Sequence, residues 1–169
     1  GTRSVSPSTS VIRSIGMPVR SLTIIAYAVW WPCPFEEVPA NNVDLPSVFT
    51  STHGDLSITD YMCATLATAP RDISPTKFHN SVHNAAAGYW TIAAECTRPY
   101  TALSAGEHTF GAALLEASVQ ALSSAQNILL VTYDIDARGP LAAMAPSKGM
   151  LSAALVLGPT RGRHALAHF

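Results

Sequence analysis

Two periods of apolar spacing alternate along this chain, and together they lay out its elements. Leu22 to Val29 (LTIIAYAV) is a β-branched and aromatic run, and it reads as a strand. Ser47 to Thr52 is a second strand, closed by the turn residues His53-Gly54-Asp55. Ser57 then opens a helix, with Asp60 three positions on as a weak capping box, and Tyr61, Met62, Thr65 and Leu66 continue it. Ile128 to Tyr133 (ILLVTY) and Leu151 to Leu157 (LSAALVL) are nearly continuous apolar runs, as in strands buried on both faces. Strands separated by helices predict an α/β sheet layered between helices.

The most informative stretch lies between these, from Ile73 to Glu116. Ser74 followed by Pro75 marks a helix start, because a serine oxygen caps free amides and proline fits the first helical position. Phe78, Val82, Ala86, Tyr89, Trp90 and Ala93 recur at three- and four-residue steps, which predicts one continuous helix ended by Arg98-Pro99. Three alanines and Gly88 leave room for another backbone to approach that helix. Tyr100 to Leu103 is a short strand, Ser104-Ala105-Gly106 a turn, and Thr109 to Ser123 a second helix. Its expected buried side is Phe110, Ala113, Leu114, Ala117, Ala121 and Leu122. A strand running into a sharp turn at a helix N-terminus is one way a fold presents a nucleophile.

Composition narrows the function classes. The charged fraction is 12% and the net charge −1, so the chain has no footprint for nucleic acid and calls for a large buried or partner-covered surface. Cys33, Cys63 and Cys96 are far apart and form no C-x-x-C, which points to reduced, buried thiols in a cytoplasmic protein rather than a disulfide framework or a zinc knuckle. Leu22 to Trp31 falls short of the roughly 20 apolar residues that span a bilayer. Residues 1–16 are serine-rich and without periodicity, and Met17 follows them. They read as a leader or tag, leaving 17–159 as one domain and 160–169 as a tail, either a short helix or a frayed end.

The stretch Ile73 to Glu116, with Asn84-Ala85-Ala86-Ala87-Gly88 as an N-x-x-A-G element, resembles the N-terminal half of β-ketoacyl synthases of the thiolase superfamily. Within that family it looks most like the chain-length-factor-like branch. The resemblance spans about Leu45 to Gly158. It implies a mixed five-stranded sheet layered between helices, with the third strand leading into the nucleophile turn. Gapless matching from Pro99 to Ile128 places Glu107 on the position of the family's catalytic cysteine. Two departures accompany it. The segment between Trp30 and Pro46 is shorter than the family's largely helical one, and the half that supplies two catalytic histidines has no counterpart here.

The resemblance therefore implies a non-condensing partner of an active ketosynthase, meeting an acyl carrier protein and needing no cofactor. An active acyltransferase and a purely structural dimerisation module are the alternatives. A condensing enzyme needs a thiolate at the helix N-terminus, where the dipole lowers its pKa. A glutamate there is a stable anion and a poor acyl acceptor. Ser104-x-x-Glu107 also fits a capping box, and Gly106 and His108 flank it. His79 and His83 form H-x-x-x-H, compatible with a metal, yet no third ligand is evident and hydrogen bonding beside Asn80 and Asn84 is the simpler reading. His79, His83, Asn84, Tyr100 and Phe110 are candidates for an acyl pocket or an interface. In the family the strand matching Tyr100 to Leu103 pairs with its copy across a two-fold axis, so a homo- or heterodimer is expected.

Overall fold

A computed structural model describes residues 23–28, 44–145, 149, 151–161 and 165–168. The leader, Trp30, Trp31, Cys33 and most of the shortened segment before Pro46 lie outside these residues. Six strands form one mixed sheet: β1 Thr23–Ala28, β2 Ser47–Thr50, β3 Tyr100–Leu103, β4 Ile128–Asp134, β5 Leu151–Gly158 and β6 Ala167–His168. Their order across the sheet is β3-β2-β4-β5-β1-β6. β2 pairs in parallel with both β3 and β4, whereas β5 is antiparallel to β4 and to β1. The expected α/β class and mixed sheet are met. The sixth strand is the two-residue β6, which pairs with β1 where the sequence had suggested a short helix or frayed end.

Helices cover both faces. α1 Leu56–Thr68, α2 Pro75–Asn80 and α3 Ala85–Ala93 lie between β2 and β3, and α4 Thr109–Ser124 lies between β3 and β4. Each central strand sends alternate side chains to opposite faces. Phe49, Leu129, Val131, Ala154 and Val156 join Ala87 and Trp90 of α3 in one cluster. Val48, Ile128, Leu130 and Leu157 join Ala113, Ala117 and Ala121 of α4 in the other. The three alanines recur at every fourth position and are 0% exposed. Their small side chains let α4 lie close against the strands.

The helix starts and stops depart from expectation in instructive ways. α1 is capped by Asp55, which accepts from the Ser57 and Ile58 amides, and not by a box opened at Ser57. Asp60 instead faces Gly139 in the loop after β4, whose φ of +58° and missing Cβ admit the carboxylate. Ser74 caps α2 as expected, accepting from the Lys77 amide, with Pro75 in the first turn. The single long helix is broken, however. Ser81 donates its hydroxyl to the Phe78 carbonyl at 2.7 Å and ends α2. Ser81, Val82, His83 and Asn84 are all weak helix formers, and the chain turns there before α3 begins. α3 in turn stops at Ala93, before the expected Arg98-Pro99, and Glu95 follows in the left-handed region with φ 50°.

Candidate functional site

β2, β3 and β4 run in the same direction, so their C-terminal ends share one edge, the usual side for a site in an open α/β sheet. From β3 the chain enters the turn at this edge. Leu103 is the last strand residue, Gly106 to His108 form one 3-10 turn, and α4 starts at Thr109. Gly106 has φ +57°, the left-handed conformation in which glycine carries no Cβ penalty. Glu107 and His108 are exposed in this turn. The strand–turn–helix layout expected around Glu107 is therefore present.

The expected capping box is not. Thr109, 4% exposed, holds the turn instead. Its hydroxyl accepts from the Ala105 amide at 2.9 Å and donates to the Gly106 carbonyl at 2.6 Å. Ser104 points back to β2, donating its hydroxyl to the Thr52 carbonyl at 2.8 Å. The Ser104 hydroxyl is spent on the Thr52 carbonyl, and the start of the helix has no side-chain cap of the Ser104–Glu107 kind.

Beneath the turn lies a polar network that the sequence reading did not single out. Asp134, at the end of β4, accepts from the Ser51 hydroxyl, the Thr52 amide and the Thr52 hydroxyl at 2.8–3.0 Å. The Thr50 hydroxyl donates to the Leu103 carbonyl at 2.9 Å, and Thr50 and Ser51 are fully buried. His83 places Nε2 at 2.9 Å from the Ser51 carbonyl, so that nitrogen carries a proton. The signal for this network was the hydroxyl-rich end of β2, Thr50-Ser51-Thr52, paired with an acid closing an apolar strand. Neighbouring Tyr133 is half-buried, and burial followed by the charges of Asp134 and Asp55 raises its pKa above the ordinary value.

The remaining candidates scatter. His79 is exposed on α2 while His83 lies past the helix break, so H-x-x-x-H does not share one helical face. No group of three or more His, Cys, Asp or Glu that could hold a metal occurs among the described residues. Asn84 and Tyr100 are brought together, the amide donating to the phenol at 3.2 Å. Tyr100 and Phe110 are exposed, Phe110 against its expected place on the buried side of α4. Phe78, Val82 and Tyr89 are exposed too; among the described residues nothing lies within 4 Å of where a Gly88 Cβ would be, so the close approach is made at Ala87 and not at Gly88.

Cys63 is exposed, against expectation, and Cys96 is buried. Cys96 places Sγ 3.7 Å from the Leu45 carbonyl, just before β2 begins, at the edge opposite the Glu107 turn. Arg98 grips Asp44 at that same edge, both its Nε and its Nη2 donating, and the contact raises the arginine pKa. A surface cleft of about 320 Å³ also opens there, lined by Arg98, Pro99, Gln120, Ser123 and Gln126 among others. It lies at the edge opposite the Glu107 turn, and none of His79, His83, Asn84, Tyr100 and Phe110 lines it. Among the described residues no helix is long and apolar enough to cross a membrane.

Comparison with known proteins places this geometry. The β-ketoacyl synthase N-terminal domain family matches residues 21–167. One similar solved structure is the ketosynthase ApeO in complex with its chain length factor ApeC from Xenorhabdus doucetiae. There the TM-score is 0.63 at 30% identity, over 70% of this chain and 50% of that one. The ishigamide ketosynthase/chain length factor superposes with a TM-score of 0.62 over 72% of this chain and 37% of that one. Its 16% identity makes this a likeness of fold. The chain thus spans half or less of the solved chains it matches. No curated protein matches it. With the family match running through most of its length, the chain belongs to the β-ketoacyl synthase N-terminal domain family.

Proposed function

We propose that this member of the β-ketoacyl synthase family serves acyl-chain elongation, in fatty acid or polyketide (polyene-type) biosynthesis, without condensing acyl units itself. It acts as a chain-length-factor-like partner of an active ketosynthase subunit, in the cytoplasm. The observation that carries this reading is the makeup of the strand-to-helix turn. None of the residues Leu103 to Thr109 is a cysteine, so the junction offers no thiol whichever of them is the family's nucleophile equivalent. We assign that position to Glu107, whose carboxylate the α4 dipole favours as an anion. An anionic carboxylate does not hold an acyl chain as a usable thioester. Ser104 is committed to the Thr52 carbonyl. Cys96 is buried at the far edge, and Cys63 lies within α1.

The partnership is carried over from the solved neighbours, which pair a ketosynthase with a chain length factor. β3 is an end strand of this sheet, and among the described residues it pairs along one edge, with β2. We assign the other edge to a subunit interface, flanked by exposed Tyr100 and Phe110, with Asn84, bonded to Tyr100, at its margin. An acyl carrier protein delivers the chain to the active subunit of the pair. That same free edge favours a second reading, a dimerisation module with no part in acyl transfer. Co-expression with a ketosynthase subunit and an acyl carrier protein separates the two. Co-purification of a stable heterodimer supports the partner role, whereas a homodimer that ignores both proteins leaves only the module.

A further inference from the structure

Apart from the Ser104–Thr52 bond, the functional reading above uses none of the polar atoms gathered where β2, β3 and β4 end, yet they form a continuous path to the turn. We infer that Asp134 is a positioning residue: its carboxylate fixes the end of β2 and, through β2, the conformation of the turn from Leu103 to Thr109. The inference takes from the proposed function only that this turn is the working part of the site.

The path can be followed bond by bond. Past Thr50 the β2 ladder stops, and the Thr52 amide has no strand partner left. A partly buried amide in that position needs an acceptor, and Oδ1 of Asp134 supplies one at 2.8 Å. The same oxygen takes the Ser51 hydroxyl at 3.0 Å, and Oδ2 takes the Thr52 hydroxyl at 2.9 Å. An ionised carboxylate accepts only, and three donors suit its lone pairs. Ser51 in turn accepts from the Gly54 amide at 2.9 Å, which folds the chain toward α1.

Two further bonds carry the restraint from β2 to the turn. The Thr52 carbonyl receives the Ser104 hydroxyl at 2.8 Å, and the Thr50 hydroxyl reaches the Leu103 carbonyl at 2.9 Å. The last residue of β3 and the first residue of the turn are thereby tied to a segment that Asp134 holds. Ser104 closes the turn in this arrangement, and Asp134 touches none of the turn's atoms directly.

Residue-resolved hydrogen exchange on the full chain tests this, comparing the parent with Asp134→Ala, Asp134→Asn and Ser104→Ala. Removing the carboxylate should speed exchange of the Thr52, Gly54, Ala105 and His108 amides by about tenfold or more. Ala117 and Ala121, deep in α4, should stay within about twofold of the parent. Asp134→Asn should restore slow exchange, since its oxygen still takes the Thr52 amide and its NH2 group can donate to the Thr52 hydroxyl. Ser104→Ala should speed Ala105 and His108 alone, and should add nothing to Asp134→Ala at those two amides.

Unchanged exchange at Ala105 and His108 in folded Asp134→Ala would overturn the inference, as would an asparagine variant no better than the alanine one. If Asp134→Ala does not fold, Ser104→Ala decides: undisturbed Ala105 and His108 then overturn it. Failure to bind a ketosynthase leaves these exchange rates untouched, so the two proposals fail separately.

Discussion

The two helical crossovers that flank β3 come from one continuous stretch of sequence, and they fold by different rules. On the α4 side, periodicity and structure agree except at exposed Phe110. Ala113, Ala117 and Ala121 sit at helical spacing, fully buried against β2, β4 and β5, and the helix ends one residue from its expected limit. On the α2–α3 side an equally regular apolar series is spread over two helices and a turn. Trp90 is buried there against Phe49, with ring centroids 6.5 Å apart, while Phe78 and Ile92 are 61% and 75% exposed. Apolar spacing marks surface that something covers, and among the described residues the alanine stripe of α4 is covered while Phe78 and Ile92 are not.

The strongest way to break the contrast is at its buried anchors. Trp90→Ala should cost about 3–5 kcal/mol, because the chain would relax only partly around the lost indole. A midpoint shift in urea denaturation measures it. Ala117→Leu should cost less, about 1–3 kcal/mol, since added methylenes have nowhere to go between α4 and the strands. A variant that proved neutral would mean that α4 does not lie tight on the sheet.

How much was legible follows from the same contrast. Strands β2 to β5, the α4 helix and the turn before it could be read, because their patterns are satisfied within the chain. The break at Ser81 could not, since the 3.6-residue apolar spacing outweighed the weak helix propensity of four consecutive residues. Thr109 as the holder of the turn was hidden behind the more familiar Ser104-x-x-Glu107 pattern. Asp134 was hidden because a single acid at a strand end carries no motif; only pairing β4 with β2 brings it to Ser51 and Thr52. The sixth strand, two residues long, is below what alternation can signal.

Smaller effects sharpen the picture. Tyr133 sits on β4 between the two crossovers, and its raised pKa means the fold holds the phenol proton more tightly than the unfolded chain does. Its stabilising contribution is complete below about pH 10 and is lost as pH rises through the folded-state value. Thermal melts should therefore fall in alkaline solution less steeply for Tyr133→Phe than for the parent. Smallest of all, Phe78→Ser and Ile92→Ser should change stability by no more than about 0.5 kcal/mol in the isolated chain. The same two substitutions should weaken any complex whose partner covers that face, which a titration against the ketosynthase subunit would read.

The claim on which the functional account turns is that the junction between β3 and α4 cannot be acylated. Intact-mass and peptide mass spectrometry after incubation with an acyl-carrier thioester tests it directly. The expected result is a chain of unchanged mass. An acyl adduct on any residue from Leu103 to Thr109 would contradict the account and restore an active acyltransferase.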